Sequence, residues 1–355
     1  MPRNRYAYLD GIRGVAAILV LVRHTGNFWH FGFYRSYLAV DLFFILSGFV
    51  IAYAYDEKLR DGKISIAQFV KIRLIRLYPV FLMSVLMCAV AVAAAMMFDP
   101  PGTAPAIPEI ATVIVLTAMY LPSRLSGSSD LFPLNGIYWS LFFELLVNVL
   151  YAAVRTWLTT AVLAVAASSF GLMVALIAYG YGTLNVGFTW GIGPVFSGFA
   201  RAAFGIFLGL LLFRLRARFI GRFGGLVSPW FAFFLVCALL ASPSADRFDA
   251  LVDWLAVALF FPLSILFASP SSSTRFEGLL LALGSASYPI YVFHRPVAAL
   301  VTRAAGTVVS RYAPLTGVLL VVLLVLFSVW LERRIDLPVR RRLTERFLPG
   351  SRRRL

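Results

Sequence analysis

The stretch GIRGVAAILVLVRHTG, residues 11–26, decides the fold class of this chain. It begins with apolar residues, as a membrane-spanning helix would, and then places Arg23 and His24 where hydrocarbon is expected. An ionisable residue inside a membrane is energetically costly, so it indicates a functional site, with a partner side chain to be found. The stretch therefore predicts a helical membrane protein with a polar site inside its bundle.

The composition of the whole chain also indicates a membrane protein. Of the 355 residues, 61% are hydrophobic and 14% are charged, whereas soluble domains average about 45–50% and about 25%. The net charge of +16 would favour nucleic-acid binding in a soluble protein, but membrane proteins collect Lys and Arg in cytoplasmic loops. We therefore expect no nucleic-acid partner. Cys88 and Cys237 lie in apolar runs and form no metal site by themselves, so we expect no metal.

Ten apolar segments are candidate membrane helices, which need about 20 residues each. They are 13–31, 37–55, 77–98, 138–154, 157–180, 196–213, 227–242, 250–269, 278–302 and 314–331. A further short run, 110–122, is bounded by Pro108 and Pro122, and it is either a re-entrant or interfacial piece or an eleventh span. The prediction is an all-α, polytopic membrane bundle of about ten transmembrane helices.

The distribution of basic residues predicts the orientation of the bundle. With ten spans and a cytoplasmic N-terminus, most of the 32 basic residues lie on the cytoplasmic side, as the positive-inside rule requires. An eleventh span would export the basic C-terminus, so we expect both termini in the cytoplasm. The chain then divides into a membrane domain, 1–332, and a polybasic cytoplasmic tail, 333–355, which we expect to contact anionic membrane lipids.

Charged residues of the first helix lie on defined faces. Arg13 and His24 are eleven residues apart, so they share one helix face at a separation of about 16 Å, whereas Arg23 points about 100° away from His24. Histidine titrates near neutral pH, which suits a general base, although a hydrogen-bonded interior histidine is the alternative. For Arg23 we expect Asp41 or Glu144 as the partner.

A basic segment, KIRLIRLYP at 71–79, leads into the third candidate span. Its Lys71, Arg73 and Arg76 stand at the predicted cytoplasmic entrance of that span. They are either a positive-inside anchor or a clamp for the phosphates of an anionic ligand. The fork of an arginine guanidinium matches phosphate oxygens, which is the physical basis of the clamp hypothesis.

Later spans also carry polar groups. Ser47 belongs to a Ser-Gly pair that allows close helix approach, Glu144 and Arg201 lie within apolar segments, and Asp253 is expected to be interfacial only. Tyr288, Tyr291 and His294 follow at intervals of three, on or near one helix face. These residues alone fit either a transporter with a charged pathway or an enzyme that acts on a hydroxyl inside the membrane.

The motifs, taken in order, resemble those of the acyltransferase 3 family of bacterial integral membrane acyltransferases. Arg13 and His24 fit its basic-x10-His signature, and DLFFILSGF fits its FFxxSG motif. The basic segment KIRLIRLYP fits the motif before the third span. IYWSLFFEL is similar to W-S-x-x-x-E, and SYPIYVFHRP is similar to S-Y-x-x-Y-x-x-H-x-P. The resemblance extends over nearly the whole chain.

The resemblance implies a membrane O-acyltransferase of the bacterial cytoplasmic (inner) membrane. It would move an acyl group, commonly acetyl, from acetyl-CoA or another acyl-CoA to a hydroxyl of a sugar in a surface glycan or lipid-linked glycan. Catalysis maps onto His24, and the ligands of the CoA phosphates map onto Arg13, Lys71, Arg73 and Arg76. Further substrate-contacting or site-shaping candidates are Arg23, Ser47, Glu144, Arg201, Tyr288 and His294.

The predicted mechanism places acyl-CoA at the cytoplasmic side, with its pantetheine arm between helices and its thioester at His24. Arg23 or Ser47 is expected to polarise the thioester oxygen, and transfer is either direct or relayed through an acyl-imidazole. The alternative function is a transporter or flippase for a lipid-linked sugar or an acyl carrier, which would use the same charged bundle without forming a bond. The acceptor and the oligomeric state do not follow from the sequence.

Overall fold

The structure, a computed structural model, describes residues 6–98, 106–223, 226–268 and 275–348. Within these ranges the protein is all-α, with no β-strand beyond an isolated bridge between Asp130 and Thr189. The first seven helices are α1 (Ala7–His24), α2 (Ala39–Ile51), α3 (Glu57–Arg60), α4 (Ile66–Phe98), α5 (Ile107–Ala118), α6 (Tyr138–Val154) and α7 (Thr160–Tyr181). The later helices are α8 (Ile192–Phe223), α9 (Pro229–Ala241), α10 (Asp249–Leu255), α11 (Phe261–Ala268), α12 (Glu277–Arg311), α13 (Leu315–Leu331) and α14 (Leu337–Phe347).

Each of the ten predicted spans overlaps one of these helices or a helical run of several. In the described part of the chain, six helical runs are long and apolar enough to cross a membrane, and they are Tyr34–Arg60, Ile66–Phe98, Thr160–Tyr181, Ile192–Phe223, Asp246–Ala268 and Leu315–Phe347. Helices α1, α6, α9 and α12 are not among them; α6 and α9 have 17 and 13 residues. The chain is therefore a multi-pass membrane protein, and the number of ten spans stays a prediction.

The short apolar run 110–122 forms α5, which ends at Ala118 and has 12 residues. At 1.5 Å per residue this helix is about 18 Å long, well short of the roughly 30 Å of a bilayer's hydrocarbon core. Helix α9, which coincides with a predicted span, is only one residue longer, so both alternatives for 110–122 stay predictions.

Small residues bring the central helices close together. Helix α1 packs along α12, and α2 packs along α8. A Cβ at Gly48 would collide with the carbonyl oxygen of Ile206, and a Cβ at Gly14 would lie 2.6 Å from the backbone of Leu283. The prediction that the Ser-Gly pair allows close helix approach is confirmed, because only glycine at position 48 lets α2 touch the backbone of α8.

Helix α13 continues through a π-helical turn, Glu332–Asp336, into α14. Asp336 forms an ion pair with Arg340 one turn later, and α14 packs against α4. The first part of the predicted polybasic tail is therefore a helical continuation of the last span. The end of that tail, 349–355, lies outside the described residues, as do Arg3 and Arg5 at the N-terminus.

A buried ion-pair group ties the segment before α2 to α10. Arg35 donates to Asp249 at 2.5 Å and to Asp253 at 2.8 Å, and Tyr37 donates to Asp253 at 2.7 Å. The prediction that Asp253 is merely interfacial is wrong, because its side chain is fully buried among these donors. A buried carboxylate persists when several donors replace its water.

Candidate active site

The predicted site residues lie around two cavities, which we call inner and outer after the cytoplasmic side that the basic residues predict. The inner cavity has a volume of about 160 Å³, and six predicted site residues line it, namely Arg13, Ser47, Arg73, Arg76, Glu144 and Tyr288. The outer cavity is larger, at about 620 Å³, and His24, Arg23 and Arg201 are among its lining residues. The sequence-based prediction of one site is therefore replaced by two neighbouring cavities.

Three motif residues from three helices meet in the wall of the inner cavity. Arg73 on α4 is 3% exposed, and its Nη2 donates to Oε1 of Glu144 at 2.6 Å. Ser47 on α2 donates to the same carboxylate oxygen at 2.6 Å and accepts a bond from Arg73 at 3.3 Å. The Glu144 carboxylate on α6 thus has the cation that a carboxylate in an apolar segment requires.

Two other arginines, Arg13 and Arg76, line the inner cavity without a carboxylate partner among the described residues. Arg13 donates from Nε to Oγ of Ser287 at 2.9 Å and from Nη2 to the carbonyl of Gly284 at 3.0 Å, which ties α1 to α12. Arg76 makes no ion pair with any described residue and lines the cavity. Its guanidinium is therefore available to an anionic ligand. Tyr288 donates to the carbonyl of Leu77 at 2.8 Å.

Lys71 does not belong to the inner cavity. Its side chain is exposed on α4, and it is absent from the cavity wall that Arg73 and Arg76 share. Two residues that the sequence analysis assigned to no site, Glu332 and Arg340, take part in that wall instead. Lys71 was predicted to bind phosphates because of its charge within a basic motif. Helix periodicity, however, turns its side chain away from the cavity.

The outer cavity combines aromatic rings with polar side chains. Its aromatic residues are Phe33, Tyr34, Tyr37, Trp139, Phe188 and Tyr291. His24, at the end of α1, is exposed to this cavity, and Asp130, Asn185 and Arg295 contribute further polar groups. None of these three polar residues was among the predicted site residues, because two lie in loops and Arg295 only follows a motif histidine.

His24 pairs with His294. Nδ1 of His24 lies 3.1 Å from Nε2 of His294, and Nδ1 of the fully buried His294 lies 3.1 Å from the carbonyl oxygen of Ile290. A carbonyl only accepts, so we assign the proton of His294 to Nδ1. In the neutral pair, Nε2 of His294 then accepts from Nδ1 of His24. The lone pair of His24 is left on Nε2, where a general base needs it.

The predicted partners of Arg23 are wrong. Its Nη1 donates to the carbonyl of Tyr34 at 2.6 Å, and its guanidinium lies 5.0 Å from the centre of the Tyr37 ring. Asp41 instead receives two bonds from Arg201, at 2.9 and 2.6 Å, and Glu144 is held by Arg73. Arg23 lies in the last turn of α1, which directs it toward the segment before α2.

Two residues separate the cavities. Val40 and Tyr291 belong to the walls of both. The Tyr291 hydroxyl lies 2.8 Å from Oγ of Ser140, and its ring packs edge-on against Phe43. Ser140 and Tyr291 both belong to the quoted motifs, so the motifs carried a signal for them, but sequence spacing does not reveal a shared wall.

No group of three or more His, Cys, Asp or Glu side chains is placed to hold a metal ion within the described ranges. The two cavities also offer side-chain groups that can act chemically. These comprise an imidazole with a free nitrogen, guanidinium groups, hydroxyls and a carboxylate.

Comparison with known proteins identifies the family. The model of the acyltransferase 3 family, described as an acyltransferase domain, matches residues 6–333. Protein 2 in the picA locus of Rhizobium radiobacter is 40% identical over 190 residues, which are 49% of this chain and 96% of that protein. O-acetyltransferase OatA of Staphylococcus aureus is 39% identical over 83 residues, which are 23% of this chain and 13% of OatA. No solved structure matches this chain. With nearly every described residue inside the family match, this chain belongs to the acyltransferase 3 family.

Proposed function

We propose that this protein transfers an acetyl group from acetyl-CoA, bound through the inner cavity, to a hydroxyl of a carbohydrate acceptor in the outer cavity. The observation that carries the proposal is the meeting of two chemically different cavities at Val40 and Tyr291. Arginines line the inner one, and an imidazole with a free nitrogen faces the outer one. Family membership supports acyl transfer, and the O-acetyltransferase activity in the name of OatA supports acetyl and a hydroxyl.

The donor fits the inner cavity as an extended arm. A cavity of about 160 Å³ accommodates a narrow chain such as pantetheine, so the nucleotide and its phosphates would lie at the mouth. Arg13 and Arg76 offer guanidinium donors there, whereas Arg73 is neutralised by Glu144 and Arg340 by Asp336. Along α1, Arg13 and His24 are about 16 Å apart, a distance that an extended pantetheine arm can bridge. The acyl end then passes Val40 and Tyr291 to reach His24.

The chemical step uses the free nitrogen of His24. The acceptor hydroxyl gives its proton to Nε2 while its oxygen bonds to the thioester carbon. The carbon–sulfur bond then breaks, and the CoA thiolate leaves with the proton that His24 returns. His294 accepts from Nδ1 of His24 throughout, which orients the ring and favours the imidazolium that forms. A relay through an acyl-imidazole on the same nitrogen is the alternative route. It would label the protein transiently in the absence of acceptor, because an acyl-imidazole hydrolyses readily.

The test compares two histidine variants of the purified protein in lipid nanodiscs. With labelled acetyl-CoA and a pool of cell-surface glycan, His24→Ala should reduce label transfer by about 10²-fold or more. The matched control is His30→Ala, because the His30 side chain bonds to the carbonyl of Ser310 and lines neither cavity. Undiminished transfer by His24→Ala would contradict the assignment. A transporter or flippase would move its cargo without passing label from acetyl-CoA to any acceptor or to water.

A further inference from the structure

We infer that the acceptor is an acidic carbohydrate, whose carboxylate or phosphate is bound by Arg23 and Arg295 beside His24. This inference rests on the proposed function, because it identifies the substrate class of the same outer cavity. It is carried by the charges and rings in that cavity's wall.

The wall of the outer cavity has an excess of positive charge. Three arginines line it, and Asp130 is the single acidic residue in that wall. Arg201 is neutralised by its two bonds to Asp41, which lies behind the wall. Arg23 and Arg295 form no ion pair with any residue in the described ranges. Removal of a guanidinium from bulk water without a counter-charge is unfavourable, so these two groups favour an anionic ligand.

Both arginines keep donors for that ligand. Arg23 uses one nitrogen for the Tyr34 carbonyl, and a guanidinium has five N–H groups. Arg295 makes no hydrogen bond to a described residue, and its side chain is half-buried in the cavity wall. Guanidinium groups bind carboxylate and phosphate oxygens through paired N–H groups, which a neutral sugar does not exploit.

Gly136 sets the position of Arg295. A Cβ at Gly136 would lie 2.6 Å from Nη1 of Arg295 and 2.9 Å from Oδ2 of Asp130. The guanidinium and the carboxylate therefore flank the bare glycine without forming an ion pair with each other. This arrangement keeps a cation and an acceptor of hydroxyl protons side by side, which suits a sugar that carries both an acidic group and free hydroxyls.

The rings of the same cavity suit the rest of a sugar. Trp139, Tyr37 and Phe188 present apolar faces in the wall, against which the C–H face of a pyranose can pack. A free inorganic anion has no C–H face with which to pack against these rings. The combination of rings and guanidinium groups therefore favours an acidic sugar over an inorganic anion.

The experiment measures binding of three matched probes in the absence of acyl-CoA, so that no turnover occurs. The probes are methyl glucoside, methyl glucuronide and methyl glucoside 6-phosphate, which differ at carbon 6 alone. Binding is followed calorimetrically on the full chain in nanodiscs. We expect at least one anionic probe to bind about tenfold or more tightly than methyl glucoside. The two anionic probes distinguish a carboxylate from a phosphate as the recognised group.

Four variants locate the binding group. Arg23→Gln and Arg295→Gln should each reduce the preference for the anionic probe about tenfold. Arg124 is an exposed loop arginine that stacks on Trp190, and the control variant Arg124→Gln should leave the preference unchanged. Gly136→Ala keeps every charge and should also reduce the preference, because its methyl group displaces Arg295. It provides the test if an arginine variant does not fold.

Two outcomes would overturn the inference. One is equal binding, or absence of binding, of all three probes to the wild-type protein. The other is an anion preference that survives both arginine variants and Gly136→Ala. Acetyl transfer to the glycan pool, measured on the same preparations, tests the proposed function separately. Transfer without anion preference overturns the acidic acceptor alone, and anion preference without transfer supports the binding site while it contradicts the proposed enzyme.

Discussion

His24 and His294 are joined by a hydrogen bond of 3.1 Å between Nδ1 of the first and Nε2 of the second. Their rings are nearly parallel, with centres 5.2 Å apart. Because the carbonyl of Ile290 holds the other nitrogen of His294, the pair has one consistent set of neutral tautomers. His294 is thus a positioning residue for His24, in the way that a carboxylate or carbonyl orients other catalytic histidines.

Replacement of His294 tests this positioning. His294→Ala should reduce kcat for acetyl transfer about 10²-fold and leave KM for acetyl-CoA nearly unchanged, because the inner cavity keeps all its residues. His294→Asn retains an acceptor in the side chain and should restore part of the rate. Steady-state kinetics of both variants provide the measurement. Equal rates for Ala and Asn would argue that His294 only fills space.

Variants at Arg76 and Lys71 should differ in their KM for acetyl-CoA. Arg76→Gln should raise KM for acetyl-CoA about tenfold, because a guanidinium that faces the inner cavity loses its contact with a phosphate. Lys71→Gln is the matched control, since Lys71 is exposed and outside the cavity wall. The initial rate is measured over a range of acetyl-CoA concentrations. A larger effect from Lys71 than from Arg76 would mean that the phosphates lie outside the inner cavity.

The wall that the two cavities share predicts that a change at Tyr291 alters the ratio of acetyl-CoA hydrolysis to acetyl transfer. Tyr291→Ala should widen the passage through which the acyl end reaches His24, because the ring that narrows it packs on Phe43 and its hydroxyl is held by Ser140. Water would then reach the thioester, and the ratio of acetyl-CoA hydrolysis to acetyl transfer should rise severalfold. Tyr291→Phe keeps the ring, and its ratio should stay near that of the wild type. Labelled acetate and labelled glycan are quantified from one reaction.

Arg73 and Glu144 form a buried ion pair, so loss of one partner should destabilise the protein more than replacement of both by apolar residues. Glu144→Gln leaves the Arg73 charge buried without its counter-ion, and removal of one partner from such a pair costs about 3–5 kcal/mol. The double variant Arg73→Met with Glu144→Leu should unfold at a higher temperature than Glu144→Gln alone. Thermal unfolding in detergent provides the measurement.

The control for that pair is Asp61→Asn at the exposed ion pair with Lys63. Water solvates both groups there, so this substitution should leave the midpoint of unfolding unchanged. A larger shift from Asp61→Asn than from Glu144→Gln would contradict the importance of burial for the Arg73–Glu144 pair.

Hydrophobic runs made the helices predictable. The prediction for 138–154 agrees with the bounds of α6, and every other predicted span overlaps a helix. Errors arose where a boundary depends on neighbours. The predicted third span begins at residue 77, and α4 begins eleven residues earlier, at Ile66, so the basic segment before the span belongs to the same helix. Residue charge alone does not show where a helix starts, whereas backbone hydrogen bonds do.

The need of Arg23 for a partner was predictable, but the kind of partner and its identity were predicted wrongly. The rule that an arginine in a membrane span needs a partner led to Asp41 or Glu144. Asp41 instead receives two bonds from Arg201 on α8, and Glu144 is held by Arg73. Arg23 is satisfied by a backbone carbonyl and an aromatic ring instead. Such choices depend on which helices touch, and 160 residues separate Asp41 from Arg201 in the chain.

By itself, the sequence determined that this is a helical membrane protein with the ordered motifs of its family, because hydropathy and residue spacing act within single segments. The tertiary structure alone decided how the site divides. Docking of α12 along α1 places His294 against His24 across 270 positions, and the same packing makes Val40 and Tyr291 a wall between two cavities. Contacts of that range depend on the close packing of several helices at once, which no local pattern encodes.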